Sequence, residues 1–154
     1  MPKVHLFHAA FSLSNPFERQ YCIEQIKEIV PNESSLPWEE YLSRLATSYF
    51  CISPKGLGID CLRTWESLVV GTIPVVTRSL ITDQHPDYPM VVLADWAQFQ
   101  SVDFSPALYW SIWNDWDSEE LSLDSYLSRV QAILHATEMN DVLPTRLTRQ
   151  WRPR

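Results

Sequence analysis

Short apolar runs alternate with segments of helical periodicity along most of the chain. Residues 4–11 are apolar enough for a buried strand, and the runs "SYFCIS", "IPVV" and "PMVVLA" have the same character. Continuous apolar runs of this length are typical of strands that are buried on both faces of a parallel sheet. Their alternation with helices predicts an α/β domain, a Rossmann-like three-layer fold with a mostly parallel sheet.

The helices are expected at five places along the chain. Asn15 followed by Pro16 begins the first, since proline at the first helical position gives up no needed hydrogen bond. Others are predicted over residues 38–48, over residues 60–70, from Pro106 onward, and from residues 118–120 onward. Helical spacing predicts the following apolar positions on the inner faces of the first, second and last helices: Phe17, Tyr21, Ile26 and Val30; Trp38, Tyr41, Leu42 and Leu45; Leu123, Leu127, Val130 and Leu134.

Length and charge narrow the class of protein. A chain of 154 residues is expected to form one domain, residues 1–154, with its core within about residues 4–137. Residues 144–154 form a basic tail with four arginines and no acid, so removing it takes the net charge from −7 to −11. Such an acidic body argues against nucleic acid as a partner. The tail either binds an anion or a partner chain, or is simply a solvated terminus.

Membrane and metal sites are not indicated. No apolar run approaches the roughly twenty residues of a membrane span, and "MPKVHLFHAAFSLSN" lacks the form of a signal peptide, so a cytoplasmic location is expected. The three cysteines form no CxxC pair, which favours reduced thiols, with Cys51 and Cys61 expected in the core. His5 and His8 have no third metal-ligating residue near them in the sequence and are interpreted as structural histidines.

All three glycines of the chain fall between positions 56 and 71. "SPKGLGID" is predicted to join a strand to a helix at the carboxyl edge of the sheet, where ligands bind in such folds. Gly56 and Gly58 would let backbone N–H groups approach an anion, with Lys55 beside them. The pattern fits a phosphate or pyrophosphate site, and it equally fits a tight turn without a ligand. Gly71 is predicted to end the helix in a left-handed conformation.

The helix after this loop divides into two arcs. Glu66 falls on their boundary, where its carboxylate is placed either to accept hydrogen bonds from sugar hydroxyls or to form a surface ion pair with Arg63. The apolar arc, predicted to face the sheet, contains Cys61, Leu62, Trp65, Leu68 and Val69; the opposite arc contains Asp60, Arg63, Thr64 and Ser67.

Two common phosphate-binding motifs are excluded by residue identity. The dinucleotide fingerprint G-x-G-x-x-G would need glycine at position 61, which is cysteine, and no acid ends the next strand. A P-loop would need G-K-[S/T] at the helix start, where the chain has Gly58-Ile59-Asp60.

The segment "FCISPKGLGIDCLRTWESLVVGTIPVV", followed by "DYPMVVLADW", resembles the carboxyl-terminal half of exostosin-like glycosyltransferases. That family carries the block F-x-x-S-P-x-G-x-G-x-D-x-x-R-x-W-E-A-L-x-x-G-x-I-P-V-V. The resemblance covers roughly residues 4–100 and is strong over residues 50–76, with Ser67 in place of the alanine. The matching positions are Ser53, Pro54, Gly56, Gly58, Asp60, Arg63, Trp65, Glu66, Leu68, Gly71, Pro74 and Val76.

The resemblance implies the carboxyl-terminal, donor-binding half of a GT-B fold, with a nucleotide-diphosphate sugar as donor substrate and no metal. It implies that residues 55–58 face the donor diphosphate, that Arg63 neutralises its charge, and that Glu66 binds the ribose hydroxyls. No catalytic base is assigned, because the acceptor site belongs to the amino-terminal half in this family. The donor-binding set that it implies is Ser53, Lys55, Gly56, Gly58, Asp60, Arg63, Thr64 and Glu66.

The leading hypothesis is therefore a domain that binds a nucleotide-sugar. It would transfer the sugar to a carbohydrate or glycoconjugate only together with an amino-terminal half, which a longer gene product or a partner chain would supply. The alternatives are a non-catalytic relative that acts as a nucleotide-binding or interaction domain, and a generic Rossmann-like domain for another phosphorylated ligand.

Two further groups of residues have competing interpretations. Asp83, His85 and Asp87 follow a predicted strand and either border the cleft or form an ordinary polar loop. Aromatic residues at helical spacing suit stacking on a sugar ring, but they are more typical of a helix packed on the core; they are Trp110, Trp113 and Trp116.

Overall fold

The computed structural model of the chain describes residues 2–116. Four strands form a single sheet in the order β1-β2-β3-β4, and every neighbouring pair is parallel. The α/β fold with a parallel sheet is therefore confirmed. The strands are β1 His5–His8, β2 Ser48–Ile52, β3 Ile73–Thr77 and β4 Val91–Leu93.

Helices connect and cover these strands. The predicted starts at Pro16 and Pro106 are confirmed, and the side chains of Asn15 and Ser105 cap the two helices by accepting backbone N–H bonds. A short helix that begins at Leu80 and includes the start of "ITDQHPDYP" was not predicted. The elements are α1 Pro16–Ile26, α2 Trp38–Ala46, α3 Leu62–Val69, α4 Leu80–Gln84, the 3₁₀-helix Trp96–Ser101 and α5 Pro106–Trp113.

The helix predicted from residues 118–120, the basic tail at 144–154 and the last part of the predicted core lie outside the described residues. Within residues 2–116, no helix is long and apolar enough to cross a membrane.

The core lies on both sides of β2. Phe50 packs on the rings of Phe104 and Tyr109, whereas the next side chain, Cys51, lies beside the hydroxyl of Ser67 in α3. Alternate residues of a strand face opposite sides of the sheet. Helices therefore cover both faces, as a three-layer domain requires.

The predicted inner face of α3 is correct at Leu68 and wrong at Leu62 and Val69. Leu62 and Val69 are 79% and 71% exposed, whereas Thr64 and Ser67 are buried with Leu68. Burial of these hydroxyls is tolerated because both are hydrogen-bonded: Ser67 Oγ donates to the Arg63 carbonyl at 2.6 Å, and Thr64 pairs with the hydroxyl of Ser53 at 2.9 Å. The helix therefore turns apolar side chains outward.

The inner faces of α1 and α2 are only partly as predicted. Ile26 and Leu45 are fully buried, as expected, but Phe17 is 90% exposed and Trp38 is 61% exposed. In α1 the buried positions include Arg19, a charged residue that the apolar pattern gave no reason to place inside. The buried Arg19 contacts the segment that carries the first two glycines.

Gly71 ends α3 as predicted. Its φ of +77° lies in the left-handed region, and the paired hydrogen bonds of a Schellman motif follow, from Gly71 N to Leu68 O and from Thr72 N to Ser67 O. The Gly71 carbonyl also accepts a 2.8 Å hydrogen bond from the Tyr109 hydroxyl. This glycine has a structural role.

The tryptophans in and just after α5 mostly pack, as the favoured interpretation predicted. Trp113 stacks on Tyr109 with ring centroids 5.8 Å apart, and Trp116 meets Trp113 at 5.1 Å. Trp110 is half-exposed.

Candidate functional site

The loop between β2 and α3, residues 53–61, is held by the loops that follow the neighbouring strands. Asn15 Nδ2 donates to the Gly56 carbonyl at 2.8 Å, and Lys55 Nζ donates to the Arg78 carbonyl at 3.1 Å. Because the strands are parallel, these three loops meet at the carboxyl edge of the sheet. The glycine-bearing loop therefore has a defined conformation without a ligand.

Arg19 is the residue of this edge that sequence reasoning missed. Its Nε donates to the Lys55 carbonyl at 3.0 Å, and its Nη1 donates to the Ser12 carbonyl at 2.7 Å. The acid beside it in the sequence, Glu18, is not its partner, because that carboxylate accepts hydrogen bonds from Thr77 and Trp96. The one available signal was a charged residue at a core-facing position of α1.

Gly56 and Gly58 differ in what surrounds them. A Cβ added to Gly56 would lie 3.4 Å from Arg19 Nη2 and 3.6 Å from the Asp60 carbonyl, which are ordinary van der Waals contacts. A Cβ added to Gly58 would meet no atom within 4 Å, and Gly58 has no positive φ. The protein's own packing and backbone therefore give no reason for glycine at position 58.

Ser53 and Thr64 lock the loop to α3. Both side chains are buried, and their hydroxyls share the 2.9 Å hydrogen bond described above. Each hydroxyl thus has a partner inside the protein. The structure gives this predicted donor-binding pair a role in fixing the loop.

Asp60 occupies the start of α3. One carboxylate oxygen accepts from Cys61 N at 2.6 Å and the other accepts from Trp65 Nε1 at 2.7 Å. A carboxylate at a helix amino terminus offsets the positive end of the helix dipole. Positive charge at this loop therefore comes mainly from side chains and less from the helix dipole invoked in the sequence analysis.

Arg63 and Glu66 line one cavity of about 360 Å³ between α2 and α3. The surface ion pair between them is not formed: among the ion pairs of residues 2–116, neither residue appears. Glu66 Oε2 instead accepts a 2.6 Å hydrogen bond from the Tyr41 hydroxyl, and burial together with this bond raises the pKa of Tyr41. The tyrosine is therefore a constant donor to the carboxylate at physiological pH.

Arg63 has no carboxylate partner within residues 2–116. Its guanidinium lies over the Phe11 ring at 5.6 Å, and Nη1 contacts the Cys61 sulfur at 3.5 Å. Its Nε is buried and has no hydrogen-bond partner among the described residues. A partly buried cation without a carboxylate partner in this range is a favourable partner for an anion.

The predicted donor-binding residues are divided between two depressions. Arg63 and Glu66 line the larger cavity, whereas a narrow crevice beside β3 is lined by the others except the two glycines: Ser53, Lys55, Asp60 and Thr64. Cys61 lines both, so the two depressions meet at the start of α3.

The cysteines are free, and two of the three are buried. Burial raises the pKa of Cys51 to about 11 and also raises the pKa of Cys22, so both are unreactive thiols in the core. The prediction that Cys61 lies in the core is wrong, because it is partly exposed and lines both depressions. The described residues contain no cluster of three or more side chains placed to hold a metal ion.

The acidic loop after β3 flanks the site. Asp83 forms an ion pair with Arg78 at 2.9 Å, which gives it a surface role. His85 packs edge-on against Trp65 with centroids 5.5 Å apart, and Trp65 in turn binds Asp60. Asp87 is exposed.

The comparisons with known proteins agree with this picture at the level of the family. A search of curated proteins finds no match to the chain. The sequence model of the RXYLT1 C-terminal domain family matches residues 8–118, which include every predicted site residue. The resemblance drawn from the glycine-bearing segment is thereby confirmed as a family relationship. The chain belongs to the RXYLT1 C-terminal domain family, a family related to exostosin-like glycosyltransferases.

Proposed function

We propose that the chain binds a nucleotide-sugar donor, as the donor-binding half of a glycosyltransferase with GT-B architecture. The observation that carries the proposal is the cavity in which Arg63, a cation without a carboxylate partner in residues 2–116, lies beside Glu66. A nucleotide-sugar presents both complementary groups, an anionic diphosphate for the guanidinium and ribose hydroxyls for the carboxylate.

The distribution of charge supports an anionic ligand. Residues 2–116 contain seven lysines and arginines against thirteen acids. Three of the seven, Arg19, Lys55 and Arg63, lie on or against the glycine-bearing loop, and none of the three forms an ion pair within this range. Like charges gathered in an acidic protein without acidic partners cost free energy, which a bound diphosphate would recover.

The same residues suit the chemistry of glycosyl transfer. When the bond from the sugar to the donor phosphate breaks, negative charge grows on the leaving nucleoside diphosphate. In this proposal Lys55 and Arg63 would stabilise this charge, which is the electrostatic contribution expected from a donor-binding half. Glu66 holds the ribose and so fixes the position of the phosphate at the loop.

We further propose that transfer needs a second domain at the carboxyl edge of the sheet. Large apolar side chains are exposed in the loops after β1 and β2 and in the first turns of α1 and α4, and monomeric surfaces rarely gather such residues. They are Leu13, Phe17, Leu57, Ile59 and Leu80. An amino-terminal half or partner chain would cover this edge and supply the site for a carbohydrate or glycoconjugate acceptor.

Ligand binding by the full chain tests the proposal. Titration calorimetry with UDP, GDP, ADP and CDP, and with their sugars, is expected to detect binding of at least one. Arg63→Ala and Glu66→Ala should then weaken that ligand roughly tenfold or more, since each removes a charge-assisted hydrogen bond of about 1.5–3 kcal/mol.

Lys27→Ala and Glu28→Ala are the matched controls, because they remove the same charges from exposed positions just after α1. The proposal is wrong if no nucleotide binds at millimolar concentration, or if the site and control variants bind it equally. Transfer or hydrolysis of the sugar by the chain alone would disprove the need for a second domain.

A further inference from the structure

An exposed tryptophan lines the open cavity that contains Arg63 and Glu66. Trp38 is the first residue of α2, and 61% of its surface is exposed. It lines this cavity together with Tyr41, opposite the residues of α3. An indole left exposed beside polar groups is unusual for a core-packing residue, and the apolar pattern had indeed placed it inside.

Tyr41 fixes the geometry of this wall. Its ring stacks on the Trp38 indole with centroids 5.5 Å apart and planes 22° from parallel. On another side it meets the buried ring of His8 at 5.3 Å, and its hydroxyl donates to Glu66 at 2.6 Å. One side chain thus holds both the indole and the carboxylate, so that the aromatic face keeps a set position relative to Glu66.

The groups that line the cavity match the groups of a nucleotide. A nucleoside diphosphate presents a planar base, a ribose and phosphates. The cavity is lined by the exposed indole of Trp38, the carboxylate of Glu66 and the guanidinium of Arg63, and Tyr41 joins the first two through its ring and its hydroxyl. Aromatic side chains bind nucleic-acid bases by stacking, and every base offers a π-face for this contact.

We propose that Trp38 is the stacking surface for the base of the bound nucleotide, and that Tyr41 is a positioning residue that holds Trp38 and Glu66 in register. This inference rests on the proposed function, because it concerns the same ligand. It assigns a contact to α2, an element outside the glycine-bearing motif. It also explains why the outward-turned Trp38 has no partner in the core cluster.

The test compares ligands with and without a base. Binding of UDP, or of whichever nucleoside diphosphate binds the wild-type chain most tightly, is measured against binding of inorganic pyrophosphate. Trp38→Ala should weaken the nucleoside diphosphate about 5- to 150-fold, which corresponds to about 1–3 kcal/mol of stacking, and should change pyrophosphate affinity less than about twofold. Trp38→Phe should recover part of the loss.

A second measurement covers the case in which pyrophosphate binds too weakly to measure. Nucleotide binding should quench tryptophan fluorescence, and Trp38→Phe should abolish part of this quenching. Trp110→Phe is the control, because Trp110 is another exposed tryptophan but lies on α5, outside the cavity.

The outcomes separate this inference from the proposed function. If no nucleoside diphosphate binds the wild-type chain, the proposed function fails and this inference fails with it. If one binds but Trp38→Ala leaves its affinity unchanged, or if nucleotide quenching is the same in Trp38→Phe and wild type, only the base-stacking role is overturned. Trp38 would then be surface for a partner domain.

Discussion

Substituting alanine at two of the three glycines should produce opposite phenotypes. At Gly71 the φ of +77° forces an alanine into the left-handed region, which costs roughly 1–2 kcal/mol. Reduced freedom of the unfolded chain returns about 0.4–1 kcal/mol. The Cβ would meet Trp113 at an ordinary 3.7 Å, so no clash adds to the cost. The free energy of unfolding should therefore fall by about 1 kcal/mol.

At Gly58 neither cost applies. The backbone has no positive φ and the new methyl group would meet no atom within 4 Å, so only the gain from the unfolded state remains. Gly58→Ala should leave the free energy of unfolding unchanged or raise it slightly. The methyl group would occupy the space that the proposed function reserves for the donor diphosphate, and nucleotide affinity should fall severalfold.

Thermal unfolding and nucleotide titration of both variants measure the two effects. For a chain of this size a loss of 1 kcal/mol lowers the melting temperature by about 2–4 °C. The melting temperature of Gly71→Ala should therefore fall by that amount, and that of Gly58→Ala should not fall. Nucleotide affinity should change in the reverse pattern. Equal destabilisation would refute the packing argument for position 58, and unchanged nucleotide affinity in Gly58→Ala would refute the reserved space.

Two further predictions concern buried polar groups. Thr64→Val leaves the Ser53 hydroxyl without its partner, which should lower the free energy of unfolding by about 1–3 kcal/mol, measured with denaturant. Adding Ser53→Ala to the Thr64→Val variant should lower it by less than Ser53→Ala does in the wild-type chain. Strictly additive losses in the double variant would contradict this coupling. Burial, with Arg63 nearby, lowers the pKa of His8 to about 4. Since the unfolded chain binds this proton near pH 6.5, stability should fall between pH 6.5 and 4 by at most about 3 kcal/mol. A His8→Asn variant should show a smaller pH dependence of its urea midpoint, and an identical slope would contradict it.

The fold was predictable because its strands are marked by strong local signals. "SYFCIS", "IPVV" and "PMVVLA" are short apolar runs, and each became a parallel strand near its predicted position. Asn15, Pro16 and Pro106 are equally local markers of helix starts. The faces of the helices were less predictable, since the inward side of α3 depends on hydrogen bonds between distant residues. The bond between Thr64 and Ser53 makes a polar face the buried one, and periodicity alone contains no information about such partners.

The site was predictable only in part, for a related reason. The glycine-bearing motif led to Arg63 and Glu66, which the structure brings into one cavity. Arg19 and Tyr41 come from other elements and carry no motif, so their roles became visible only when the chain was folded. Trp38 was placed in the core because exposure of an aromatic residue is not encoded in its helical spacing.

The three-point anchoring of the glycine-bearing loop has a consequence for the rates of ligand binding. Hydrogen bonds from Asn15, Arg19 and Lys55 hold the loop in place before any ligand arrives. A loop that needs no ordering adds no slow isomerisation to the encounter and no ordering penalty to the affinity. Stopped-flow traces of nucleotide binding should accordingly be single exponentials whose rate rises linearly with ligand concentration, without a plateau.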